Sequence, residues 1–289
     1  MMTNIRSKQA ILVAVVILLV GFLFTRDIKA LVKPTEANGK TEAPDAAQAQ
    51  TAQISLEETS NTAKNLINAT IAKDITTLEA NYQNASGANK IAEAKILAQK
   101  WDDVEQAIPS ALYLEIVAKG EPDLNNWLNA GNRFLKAFDN VTAEEEIRTT
   151  LLQKANASFT SALALDSTSN DAKTGLGTTM VNGMGAPMAG ITMLLEVVKK
   201  DPKNLKANMN LGMFAIKSGQ FDKAIIRFND IIRDIKATPD AYFYLATAYE
   251  NLGKNNEAID AYLNSKKLAA NPTLSTFIDK KVAELKSKR

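Results

Sequence analysis

Read for its apolar and polar positions, the chain falls into four unlike stretches. Ala10–Phe24 (AILVAVVILLVGFLF) contains no polar side chain. At ~1.5 Å per residue such a helix reaches about 22 Å, short of the ~30 Å hydrocarbon core of a bilayer. Thr25 and snorkelling of Arg26 and Lys29 extend it, so the pattern predicts a membrane-spanning signal-anchor over 10–25, behind a tail at 1–9. A cleaved signal peptide and a buried core helix are the alternatives; FLFTRDIKALVK offers no small-x-small cleavage site. After Val32 the stretch to residue 53 has no large apolar side chain but carries two prolines, a glycine and small polar residues. It cannot bury enough surface to offset its ordering entropy, which predicts a tether over 26–53. Ser55-x-x-Glu58 is a helix-capping box, and the stripe Ala63, Ile67, Ile71, Ile75, Leu78, Tyr82 predicts one amphipathic helix closed by Asn84–Asn89. Residues 54–90 are therefore expected to cap the middle of the chain on its amino-terminal side. At the far end Leu274, Phe277, Ile278, Val282 and Leu285 predict a capping helix over 273–289.

Between these caps the sequence repeats itself. Gly185, Gly219 and Gly253 are 34 residues apart, as are Gly190, Ala224 and Ala258, and Leu194, Phe228 and Tyr262. Each block reads as a helical stripe, a glycine turn and a second helical stripe. The small residue twelve positions after the first helix's own small residue (Gly212 and Ala224) lets the two helices cross closely.

These residues resemble the tetratricopeptide repeat, with signature W-x2-L-G-x2-Y, then A-x3-F, then P. The best copy is Tyr242-x2-Leu245-Ala246-x2-Tyr249, Gly253, Ala258-x3-Tyr262, with Pro272 two residues late. The copy before it has Leu211-Gly212 and Ala224-x3-Phe228, with Asn208 and Ala215 in place of the aromatic ends. An earlier one keeps Leu176-Gly177, Gly190-x3-Leu194 and Asp201-Pro202, its leading helix displaced by one residue. Trp127-x2-Ala130-Gly131-x2-Phe134 and Ala155-x3-Phe159 make another, with twelve additional residues around Ala143–Arg148. Leu97-Ala98-x2-Trp101, Ser110-x3-Leu114 and Pro122 make a degenerate first. The resemblance covers 91–272, clearest in 205–238 and 239–272. It implies an all-α, right-handed helical solenoid of about five helix–turn–helix units. In this family the first helices of successive units line a concave groove that binds a peptide or protein.

Composition narrows the chemistry. With no histidine and no cysteine, the chain has no Ser-His-Asp or Cys-His machinery, no His/Cys metal site, no haem, no iron–sulfur cluster and no disulfide. A net charge of +2 does not suggest a nucleic-acid binder. Met180, Met184 and Met188 have the spacing of thioether ligands, but glycines and a proline interrupt the helix and core filling is the expected role. Gly175-x-Gly177 follows a helix and lacks a Lys-Ser/Thr, so close packing explains it better than phosphate binding. Glu57/Glu58 and Glu144–Glu146 fit helix amino termini, and the lysines after Asn264 fit a final helix end. No cofactor, no metal site and no catalytic residue is expected.

The groove is expected to be lined by Leu128, Asn132 and Leu135, by Lys206, Met209, Met213, Ile216 and Lys217, and by Phe243, Thr247 and Asn251. That lining is apolar with amide and amine edges. The family's carboxylate clamp does not map, because its positions hold Met and Phe. The expected protein is a non-enzymatic adaptor in a bacterial inner membrane, for envelope assembly, secretion support or quality control. Its repeats are expected outside the cytoplasm, although Arg6 and Lys8 before the span and Arg26, Lys29, Lys33 and Lys40 after it leave orientation open. A self-assembling structural module, or an accessory subunit for a cytochrome- or peptidoglycan-biogenesis enzyme, are the rivals.

Overall fold

The computed structural model describes residues 54–141 and 145–287. The expected anchor at 10–25, the tail and the tether lie outside them. Among the described residues no helix is long and apolar enough to cross a membrane.

The described chain is helical throughout. Helices α1 (Leu56–Lys64) and α2 (Ala69–Asn84) open it. Five hairpins follow: α3 (Gly87–Asp103) with α4 (Ala107–Gly120), α5 (Leu124–Asn140) with α6 (Glu145–Leu165), α7 (Asn170–Asn182) with α8 (Pro187–Lys200), α9 (Leu205–Lys217) with α10 (Phe221–Asp230), and α11 (Pro239–Asn251) with α12 (Asn255–Leu268). Helix α13 (Pro272–Ser287) ends the array. Each hairpin packs on the next, as the repeat predicts.

Local chemistry sets the helix ends. Ser55 caps α1, its Oγ accepting from the Glu58 amide at 3.3 Å. The single helix expected over 55–84 is two: Asn68 Oδ1 accepts from the Thr70 amide at 2.8 Å and starts a new helix, so the stripe crosses a break. Asp123, Ser169, Asn204 and Thr238 cap α5, α7, α9 and α11 in the same way. The hairpin turns use Gly219 (φ 72°) and Gly253 (φ 69°), whose left-handed backbone disfavours a side chain. At the matching position of the first hairpin stands Glu105, with φ 58°.

Small residues let the paired helices touch. A Cβ on Gly212 would lie 2.6 Å from the Phe228 ring, and one on Gly175 would lie 2.3 Å from that of Phe159, which also abuts Gly131. Gly177 and Gly190 meet backbone to backbone. Ala224 and Ala258 are fully buried at their crossings. In the first unit Ser110 takes this place, its hydroxyl donating to the Ala98 carbonyl at 3.0 Å. The one-residue displacement of the third unit sits in its turn: residues 183–186 separate α7 from α8, where 218–220 suffice between α9 and α10. The additional residues of the second unit lengthen both of its helices, α6 reaching 21 residues.

The core is four clusters in series. Ile75, Leu97, Trp101 and Tyr113 centre the first; Phe134, Leu151 and Phe159 the second. Leu194, Val197, Ala207, Leu211 and Phe214 form the smallest, at the junction of the third and fourth hairpins. The last runs from Phe228 through Tyr262 to Ile278, Val282 and Leu285 of α13. Those three residues are buried, whereas Phe277, expected in the same stripe, is 45 % exposed.

Candidate functional site: the line of first helices

Helices α5, α7, α9 and α11 are the first helices of their hairpins, and successive ones touch. They carry all eleven residues expected in the groove, and two lysines tie the helices together. Lys206 Nζ on α9 donates to Asn132 Oδ1 on α5 at 2.9 Å, across 74 residues of sequence. Lys217 Nζ donates to Asn182 Oδ1 on α7 at 2.7 Å. The lysine and amide positions thus meet each other along this face.

Along α9 and α11 the apolar positions are half-buried. Met209, Met213, Ile216 and Phe243 pack against the last core cluster and keep part of their surface open. Leu128 and Leu135 do the same against the second cluster. Phe243 is set by aromatic neighbours, with the Tyr262 ring at 5.5 Å and edge-on, and the Phe277 ring at 5.9 Å. Sidewise support of this kind holds a ring in place while one edge remains free. Thr247 and Asn251 hydrogen-bond back to their own helix, at 3.0 Å to the Phe243 carbonyl and 2.8 Å to the Thr247 carbonyl. Thr247 is also a hydrogen-bond partner of the Tyr262 hydroxyl on α12. Met184 packs on the second core cluster, and Met188 is 71 % exposed.

Sequence reasoning missed three residues of this face. Phe277 lies 34 residues after Phe243, as Phe243 lies 34 after Met209, so the period itself could have placed it. Glu250 accepts from the Tyr262 hydroxyl at 2.7 Å and from Lys281 Nζ at 2.8 Å, fastening α13 to α11. That hydrogen bond with Glu250 raises the Lys281 ammonium above its ordinary value. Asp139, at the end of α5, is the third. Desolvation by the neighbouring protein acts to raise its carboxyl from the ordinary value, against the attraction of Lys217 and Arg148. No periodic column marks Glu250 or Asp139.

Asn208, where the repeat signature has an aromatic, is buried. Its amide donates to the Pro202 and Asn204 carbonyls at 3.0 and 2.9 Å and accepts from Arg227 at 2.7 Å. A hydrogen-bonded amide thereby replaces a ring in the core.

Comparisons with known proteins agree with this architecture. The tetratricopeptide repeat family profile matches residues 240–268. The fold is similar to that of TTC0263, a thermophilic repeat protein of Thermus thermophilus, at 16 % identity and a TM-score of 0.55, covering 67 % of this chain and 99 % of that one. It is also similar to PilW, at 18 % identity and a TM-score of 0.50, covering 68 % of this chain and 91 % of that one. No curated protein matches the sequence.

Proposed function

The chain is a tetratricopeptide repeat protein, and from that premise we propose that it is a non-catalytic scaffold whose first-helix groove holds a segment of a partner protein at a membrane. One observation carries the reading: half-buried Met209, Met213, Ile216 and Phe243, continued by exposed Phe277, form an apolar strip edged by Lys206, Lys217 and Asn251. Flexible methionines and a supported aromatic edge suit burial of apolar side chains from a partner, and the amines and amides suit its backbone. Leu128, Asn132, Leu135 and Thr247 extend the same lining. The anchor over 10–25 supplies the membrane, with the repeats outside the cytoplasm. PilW is a type IV pilus biogenesis factor, and the shared fold is compatible with a role in envelope assembly.

A photocrosslinking side chain at Lys217 or Asn251 tests the groove, because both are exposed and neither supports the core. In membranes we expect either to capture a discrete protein, and the same probe at exposed Asn256, on the second helix of its hairpin, to capture none. Equal capture from Asn256 would remove the groove assignment. Full-length protein that leaves the membrane fraction in high salt would remove the anchor.

A further inference from the structure

A large cavity lies away from the groove, at the other end of the array. It sits between α1, the α3–α4 turn and the facing ends of α5 and α6, with a volume of about 1010 Å³. That is the upper end of the range for ligand sites, and enough for several bulky side chains. Its walls are largely apolar, with Ile54, Leu66, Ile108, Val141 and Ile147 among them. Leu66, also in its lining, is 72 % exposed.

Among the described residues, the ionisable side chains lining it all have one sign: Glu58, Glu105, Glu145 and Glu146. Glu145 has Arg148 Nε at 3.9 Å, but Arg148 also donates to the Phe138 carbonyl at 2.9 Å and to that of Val141. We propose that this cavity is a second docking site, separate from the groove, for a basic, leucine-rich amphipathic segment of a partner protein. Apolar walls would take the leucine side and the carboxylates at the mouth would meet the lysines. Charge complementarity selects this occupant: an acidic segment would bring like charges together as its apolar side is desolvated. A neutral one would leave four carboxylates to lose water without a partner.

Glu105 adds to the case. The corresponding turn position holds glycine in the fourth and fifth hairpins, and the backbone is left-handed there in this one too. A side chain that glycine would dispense with is kept where it reaches the cavity mouth.

The test is fluorescence anisotropy of the full-length protein with a labelled helical peptide of leucine and lysine, and with its leucine–glutamate counterpart. The lysine peptide is expected to bind, with affinity falling at least about tenfold from low to high salt, and the glutamate peptide is not. Replacing Glu58, Glu105 and Glu146 together by Gln should weaken binding about tenfold or more, while Gln or Asn at Glu196, Asp222 and Glu257 on the outer helices should leave it unchanged. Glu105→Gly separates binding from folding: it should raise the melting temperature and weaken the peptide. Leu66→Lys, at an exposed position, should weaken it too. Equal binding of both peptides, or binding indifferent to the cavity carboxylates, would overturn the proposal. So would self-association that the peptide displaces, which would give the cavity to a second copy. Binding that appears only once residues 1–53 are removed would give it to the chain's own leading segment.

Discussion

At the scale of single residues, backbone conformation and buried polarity decide more than hydrophobicity does. Glu105 occupies a left-handed turn that costs an L-residue about 1–2 kcal/mol. Glu105→Gly removes that cost and adds back some unfolded-state entropy, so a net gain of about 1 kcal/mol is expected in urea unfolding. Unchanged or lower stability would mean that the Glu105 side chain holds the fold. Glu115 reports on pH. Burial acts to raise its carboxyl, but hydrogen bonds from Lys119 and Lys154 outweigh burial and hold it below the ordinary value of 4.5. Lys154 lies 2.7 Å away on α6, so the pair joins the first hairpin to the second. A carboxyl depressed by folding contributes stability above its unfolded pKa and loses it as pH falls through the folded one. Glu115→Gln should therefore cost about 1 kcal/mol at neutral pH, and the gap to wild type should close on acidification below the carboxylate range. A gap independent of pH would assign the loss to packing instead.

At the scale of helices and hairpins, the 34-residue period is legible because it is written in small residues at crossings, and glycine and alanine there have few substitutes. Ala258→Leu should cost on the order of 1–3 kcal/mol by overpacking, and Asn256→Leu, two positions away on the exposed side, should cost little. Equal melting temperatures would remove the assigned register. What escapes the sequence is equally physical. The break between α1 and α2 rests on one asparagine cap within a continuous apolar stripe, and a stripe does not reveal a change of direction. Phe277 reads as core so long as the 34-residue spacing from Phe243 is not extended into α13. Asn208 carries no signal, since its partners Pro202 and Arg227 meet it only after α9 and α10 fold together. That the eleven residues expected in the groove lie on first helices is legible, because the period fixes where each first helix falls. The cavity under α1 is not, since three segments far apart in sequence build it.

At the scale of the whole array, the proposed groove and the core share side chains. Phe243 and Met213 are half-buried, so Phe243→Ala should lower both stability and partner capture, the stability loss falling below the ~3–5 kcal/mol of a fully buried aromatic truncation. Met213→Glu should weaken capture more than it lowers the melting temperature. Full retention of partner by both variants, measured alongside thermal midpoints, would move the binding face elsewhere.

The four clusters in series also have a mechanical meaning. The smallest of them joins the third hairpin to the fourth, so that junction is expected to be the most compliant in the array. Lys206 and Lys217 cross it on the groove side, reaching Asn132 and Asn182 like two stays over a hinge. Exposed hydrogen bonds of this kind hold weakly against a sustained load. Pulled by its ends, the protein should yield first at this coupling, in two extensions rather than five, and amide exchange should enter α8 and α9 before it reaches Phe159 or Tyr262. A partner lying along the groove bridges the same hinge. It would act as a splint, and its presence would be felt as stiffness before any contact was seen.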